Sequence, residues 1–180
     1  NTYAANLRYG KSKTIGVVVP HINKSFFAEA IAGIEEVCSN NGYGLIICQS
    51  HESLEKECEA IETLVRQNVA CIIISVSVET ITGDHLQSAK DNHIEIIQLD
   101  RYIKDFPAHK IINDNEKVSS EITRHLIKQG YKKIAFIGAP GDLAIFNLRK
   151  KGFLHTMEKN GFKIPESFIV EKSLSQESEK

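Results

Sequence analysis

At 180 residues, with 42% hydrophobic and 25% charged side chains, the chain suits one or two soluble globular domains with a real core. A formal net charge of −1 argues against a broad basic footprint for nucleic acid; the N-terminus is locally basic, with Arg8, Lys11, Lys13 and Lys24 preceding the first acidic residue, Glu29, and reads as a small basic patch or a solvated tail. No apolar run reaches the length of a membrane span, and the four cysteines, Cys38, Cys48, Cys58 and Cys71, show neither a C-x-x-C pair nor a zinc-like spacing, so they read as structural thiols of a reducing compartment.

Asn1 to Arg8 is a short helix candidate, capped by Asn1 and favoured by Ala4, Ala5, Leu7 and Arg8. A helix so short is unstable alone in water and needs a partner to order it. Tyr9 to Lys13 reads as a linker. Ile15 to Val19 is a β-branched run, the pattern of a strand buried on both faces, and Pro20 stops it. The loop from His21 leads into a helix capped by Asn23 or Ser25. Phe27, Ile31, Ile34 and Cys38 form one helical stripe; Phe26, Ala30, Gly33 and Val37 form the adjacent one, and Asn40-Asn41-Gly42 ends the helix.

Further strands are expected over Tyr43 to Cys48, Cys71 to Ser75, Ile94 to Leu99 and Ile111-Ile112. Helices are expected over Leu54 to Gln67, with Leu54, Cys58, Ile61, Leu64 and Val65 inward and a charged outer face, over Ile81 to Asn92, and over Val118 to Gln129. This alternation predicts a doubly wound parallel sheet with right-handed crossovers. Lys132 to Ile137 then opens a second lobe, followed by a loop to Asp142, a helix from Ala144 to Asn160 and a strand over Phe168 to Val170.

The opening unit recurs. Ile15, Gly33 and Gly42 are spaced 18 and 9 residues apart, and Ile134, Gly152 and Gly161 repeat that spacing. Residues 1–13 are therefore assigned to a helix and linker, 14–131 to a first α/β lobe, and 132–180 to the start of a second lobe, for which further βα units are expected beyond Lys180.

In an open parallel sheet, ligands bind outside the carboxyl ends of the strands. Placed there are His21, Asn23, Phe26 and Phe27; Ser50 and His51; Ser75 and Ser77; Asp100 and Arg101; Asp114; and, from the second lobe, Asp142, Asn147 and Arg149. An aromatic face with convergent polar groups suits a sugar or a nucleobase. Either phenylalanine could face the cleft while the other joins the core. Asp100 and Arg101 could contact ligand or pair with each other. Asp114 could cap its helix, and His21 and His51 read more readily as loop residues. Arg149 could reach the cleft or join a solvated basic face with Lys150 and Lys151. No G-x-S-x-G elbow, P-loop or G-x-G-x-x-G follows a strand, so catalysis, cofactors and metals are not expected.

The motifs N-x-x-A-x-x-L-R, G-K-S-K-T-I-G-V-V-V-P, N-K-S-F-F, I-I-Q-L-D-R, N-D-N, H-L-I-K-Q-G-Y-K-K-I-A-F-I-G and R-K-K-G-F run from Asn1 to about Phe162. In these the chain resembles the LacI/GalR family of bacterial transcription regulators. The resemblance implies a periplasmic-binding-protein-like type I fold in two lobes and a polypeptide nearly twice as long, with an N-terminal helix-turn-helix. It implies that Asn1, Ala4, Leu7 and Arg8 belong to a hinge helix ordered in the DNA minor groove, Leu7 wedging between base steps. Ala5 departs from the family's Arg, and Lys24 from its common Pro. Effector contacts are implied at Phe26, Phe27 and Arg149, beside Ser50 and Asp100. A cytoplasmic homodimer is implied, binding operator DNA and a small effector that changes lobe orientation and so DNA affinity. The competing reading is a periplasmic sugar-binding component of a transporter. A regulator answering to a partner protein is a third.

Overall fold

The computed structural model describes residues 12–139 and 143–172. The hinge residues Asn1, Ala4, Leu7 and Arg8, and the loop residue Asp142, lie outside the described residues. These divide into two compact units, the first ending at Ile112 and the second beginning at Asn113.

The first unit is built in chain order from β1 (Thr14–Val19), α1 (Ser25–Asn40), β2 (Gly44–Gln49), α2 (Leu54–Arg66), β3 (Cys71–Ile74), α3 (Gln87–Asp91), β4 (Glu95–Leu99) and β5 (His109–Ile111). Its strands form one parallel sheet in the order β2-β1-β3-β4-β5. Side chains alternate faces along a strand, so β1 can bury both. On one face Val17 and Val19 meet Phe27, Ile31 and Ile34 of α1. On the other, α2 lies so close that a Cβ on Gly16 would sit 2.6 Å from a methyl of Leu64. Helices cover both faces, the doubly wound arrangement expected from the alternation. Ser53 caps α2 by accepting from the Lys56 amide at 3.4 Å. At α1 neither Asn23 nor Ser25 takes that role; the N-cap position falls on Lys24, with no side-chain cap bond.

Some elements differ from expectation. The helix expected over Ile81 to Asn92 is a 3-10 turn at Asp84–Leu86 followed by the single-turn α3. Thr82 Oγ1 donates to Asp84 at 2.8 Å, local turn chemistry that competes with helix. Leu86 and Ala89 are fully buried, as their spacing predicts.

The second unit holds α4 (Asn115–Lys128), β6 (Phe136–Gly138), α5 (Ala144–Lys159) and β7 (Ile169–Glu171), with β6 and β7 pairing in parallel. The sequence carries the first lobe through residue 131, but in the structure α4 packs on α5. The Ser119 hydroxyl donates to the Arg149 carbonyl at 2.6 Å, and the Ser120 hydroxyl, 2.8 Å from the Glu116 carbonyl of its own helix, lies 3.2 Å from the Gly152 carbonyl. A Cβ on Gly152 would run into the Glu116 carbonyl oxygen, so glycine permits this close approach. Asp114 caps α4 through the Lys117 amide at 3.0 Å. Ile134, Phe153 and Met157 form this unit's core. The repeat is visible in the turns: Gly42 after α1 and Gly161 after α5 both take left-handed backbone, φ +72° and +79°.

Candidate functional site

The carboxyl edge of the first unit's sheet is where its irregular chemistry gathers. Each strand end is tied to its neighbour. Ser50 and His51 donate their amides to the Val19 and Pro20 carbonyls at 3.0 Å each, and the Ile22 amide donates to Gln49 Oε1 at 2.9 Å. The His21 and His51 rings meet edge to face at 5.7 Å. Non-glycine residues with left-handed backbone occur here, His51, Glu52 and Asp100, at φ +51°, +64° and +61°. Such conformations cost energy and concentrate at functional loops.

Three glutamates lace the loops after β2, β3 and β4 together. Glu52 accepts both oxygens' share of Arg101 Nη1 at 2.9 and 2.7 Å and takes the Val78 amide at 3.0 Å. Glu79 accepts the Leu54 amide at 2.9 Å. Glu57, fully buried on α2, accepts the Ser77 amide at 2.6 Å and the Thr80 hydroxyl at 2.8 Å, and His85 Nε2 lies 2.8 Å from it. Thr80 has a single hydroxyl proton and gives it to Glu57, so the Ser77 hydroxyl donates to Thr80 across their 2.9 Å contact.

Within this frame, polar atoms remain unanswered. Ser50 Oγ, Ser75 Oγ and Gln98 Nε2 are buried and have no hydrogen-bond partner among the described residues. They lie at the carboxyl ends of β2, β3 and β4. The other end of the Gln98 amide is used, its oxygen accepting the Ile103 amide at 2.6 Å. Buried polar atoms are nearly always paired in native proteins, and an unpaired one costs about 1–3 kcal/mol. Such a set at a parallel sheet's carboxyl edge suits a ligand that brings its own hydroxyls or amides.

The structure separates the phenylalanine pair. Phe27 is 6% exposed and belongs to the core with Val17 and Val19, whereas Phe26, edge-on to it at 5.2 Å, is 45% exposed at the start of α1. Of the two, only Phe26 has an exposed ring. Ser50 stands at the edge with its free hydroxyl. Asp100 follows β4, its amide donating to the Ile111 carbonyl at 2.9 Å. Arg101 joins Glu52.

Sequence reasoning passed over Glu52, Glu57 and Gln98. Two of these carried a signal: Gln98 interrupts an apolar strand, and Glu57 falls on the Leu54-Ile61-Leu64 stripe, at a position read as part of a charged outer face.

Arg149 lies in the second unit, where its Nε donates to Asn115 Oδ1 at 2.8 Å. Asn115 is itself buried and anchored by its side-chain amide to the Asn113 carbonyl at 3.0 Å. Arg149 lines a pocket of about 210 Å³ with the end of β6 from Phe136 to Ala139, Phe146 of α5, and Lys172 after β7.

Burial raises the Cys48 thiol above its usual 9.0, and Cys58 is pushed up by burial first and then by the charges of Glu57 and Glu62. Such thiols stay protonated at neutral pH and are poor nucleophiles. Among the described residues no group of His, Cys, Asp and Glu could hold a metal ion, and no helix is long and apolar enough to cross a membrane.

Residues 12–179 match the family model described as periplasmic binding proteins and the sugar-binding domain of the LacI family. Catabolite control protein A of Priestia megaterium is 25% identical over 179 residues, 99% of this chain and 53% of that protein. The HTH-type transcriptional regulator KdgR of Bacillus subtilis (strain 168) is 32% identical over 137 residues, 76% of this chain and 40% of that protein. A solved periplasmic binding protein/LacI transcriptional regulator from Alkaliphilus metalliredigens QYMF, complexed with D-xylulofuranose, superimposes with a TM-score of 0.77 at 31% identity, over 89% of this chain and 57% of that one. The chain thus spans about half the length of the curated relatives it matches.

Proposed function

We propose, since this chain belongs to the family of periplasmic binding proteins and sugar-binding domains of LacI regulators, that it forms the effector-sensing part of a DNA-binding transcription regulator. The effector is a small polar molecule such as a sugar or a nucleobase. The observation that carries this reading is the set of unpartnered buried atoms, Ser50 Oγ, Ser75 Oγ and Gln98 Nε2, at the carboxyl ends of β2, β3 and β4. A ligand polar group answering each would recover part of the cost of burying it. Phe26 supplies an apolar ring face, and Asp100 an acceptor for ligand hydroxyls.

The whole protein acts as a cytoplasmic homodimer on operator DNA, with Asn1, Ala4, Leu7 and Arg8 in a hinge that DNA orders. The relatives' identity as transcription regulators supports this over the transporter reading. Effector occupancy and DNA affinity are then linked, and the operator changes effector affinity by the same factor as the effector changes operator affinity.

Thermal unfolding of the full-length protein against a panel of sugars and nucleobases, with D-xylulose among the first, tests the sensing step. A true effector present at a hundred times its Kd adds about 2.7 kcal/mol of stability, a clear upward shift in Tm. The same compound must change operator binding. A compound that stabilises the protein and leaves operator binding unaltered would sink the regulator reading and favour a transport component.

A further inference from the structure

Ser50 Oγ and Gln98 Nε2 are sealed: both atoms are buried, and both residues are fully buried as well. A small molecule can touch them only after the loops above them move. The two stand on the same face of the sheet. Val18 pairs with Cys48 and with Ile74, and Ile74 with Gln98, so alternation along the strands puts Ser50, two residues beyond Cys48, on the side of Gln98, and Ser75 on the other. What spans these strand ends is Glu52. It follows β2, takes Arg101 Nη1 from the loop after β4 at 2.9 and 2.7 Å, and takes the Val78 amide from the loop after β3 at 3.0 Å. Glu57 and Glu79, by contrast, tie only the loop after β3 to α2. The Glu52 side chain is 27% exposed and that of Arg101 11%, whereas Glu57 is fully buried. Water and ions therefore reach the Glu52–Arg101 pair and weaken it, but not Glu57. The backbone beside the pair is strained: Glu52 and Asp100 have φ +64° and +61°, a conformation that persists only where the surroundings hold it.

We propose that Glu52 is the positioning residue of this edge: its carboxylate latches the loops after β2 and β4 over Ser50 and Gln98, and a ligand gains those atoms when the Glu52–Arg101 pair parts. The loop after β3 stays on α2 meanwhile, because Glu57 keeps the Ser77 amide. The edge thus opens at its exposed ion pair and pivots on its buried carboxylate. What the opening admits rests on the ligand-sensing reading above; the opening itself does not.

The test follows amide hydrogen exchange in the full-length protein with no ligand present. In Glu52→Ala the Val78 amide loses its acceptor. The His51 amide, bonded to the Pro20 carbonyl, and the Ile103 amide, bonded to Gln98 Oε1, do not touch Glu52, yet should exchange roughly tenfold faster along with Val78. Ser77 should be unchanged, as should Gly44 and Ala70, which bond to the Lys13 and Thr14 carbonyls at the sheet's other end. Acceleration at Val78 alone makes Glu52 a local bond and overturns the proposal; acceleration at every one of these amides is general loosening and overturns it too. Arg101→Gln should accelerate His51 and Ile103 to a similar extent, and Arg101→Lys, which keeps the charge, should accelerate them less. The double variant Glu52→Ala/Arg101→Gln should add nothing beyond the larger single effect; additive effects would show two independent residues and no latch. Access is read with iodoacetamide as the small molecule. Ser50→Cys should be alkylated roughly tenfold faster once Glu52→Ala is added, and Ser75→Cys, on the other face, no faster. An unchanged rate at Ser50→Cys, or an equal rise at both, overturns the proposal. Neither arm contains an effector, so a panel of sugars and nucleobases that all fail to bind would count against the sensing reading and leave the latch standing.

Discussion

Glu57 occupies a core position on α2 with its carboxyl fully buried, and three donors converge on it. Removing an acceptor of this kind strands its donors away from water. Glu57→Ala should cost about 3 kcal/mol, read as a lower urea midpoint at unchanged m-value, because the Ser77 amide, the Thr80 hydroxyl and His85 lose their partner together. Glu57→Gln keeps an acceptor for the Ser77 amide and should cost less. A loss in Glu57→Ala within the few tenths of a kcal/mol typical of surface changes would remove the carboxyl from its bracing role. The thiols carry a prediction of opposite pH sense to that of a paired carboxylate. A thiol pKa raised on folding contributes stability that is complete below the unfolded value near 9.0 and is lost as pH rises through the folded value. Alkylation of Cys48 and Cys58 by iodoacetamide in the native protein should therefore lag behind free cysteine at pH 7. Labelling as fast as free cysteine would contradict the burial of both groups.

At the scale of elements, α4 and α5 meet because Gly152 has no side chain to separate them. Gly152→Ala should push the Glu116 carbonyl away and weaken the Ser119 bond to α5. An expected cost of about 1–3 kcal/mol follows from overpacking, and a neutral or stabilising result in equilibrium unfolding would show that the helices can slide apart freely. The same packing places α4 in the unit that begins at Asn113. Local pattern could place α4 as a helix closed by Gly130, but not the sheet it would cover. A helix stripe says which face is apolar and nothing about its partner.

At the scale of the whole protein, Leu7→Ala in the full-length polypeptide should weaken operator binding and leave effector affinity unchanged. A filter-binding or fluorescence titration that finds operator affinity unaltered would remove Leu7 from the hinge role. Much of the architecture was legible in the sequence. The β-branched run at Val17 to Val19 marked a doubly buried strand, the stripe from Phe27 to Cys38 marked α1, and the spacing from Ile15 to Gly42 marked a unit used twice. These are periodicities, set by the backbone geometry of strand and helix and written in residue order. The expectation of a ligand at the carboxyl edge rests on the same alternation. What only the tertiary structure decided was contact: Phe27 rather than Phe26 in the core, Arg101 paired with Glu52, Glu57 turned inward, and Ser50, Ser75 and Gln98 left without partners among the described residues. Those outcomes depend on which loop lies across which strand end. Hydrogen bonds reach about 3 Å, so partners distant in the chain are chosen only once the sheet order brings them together.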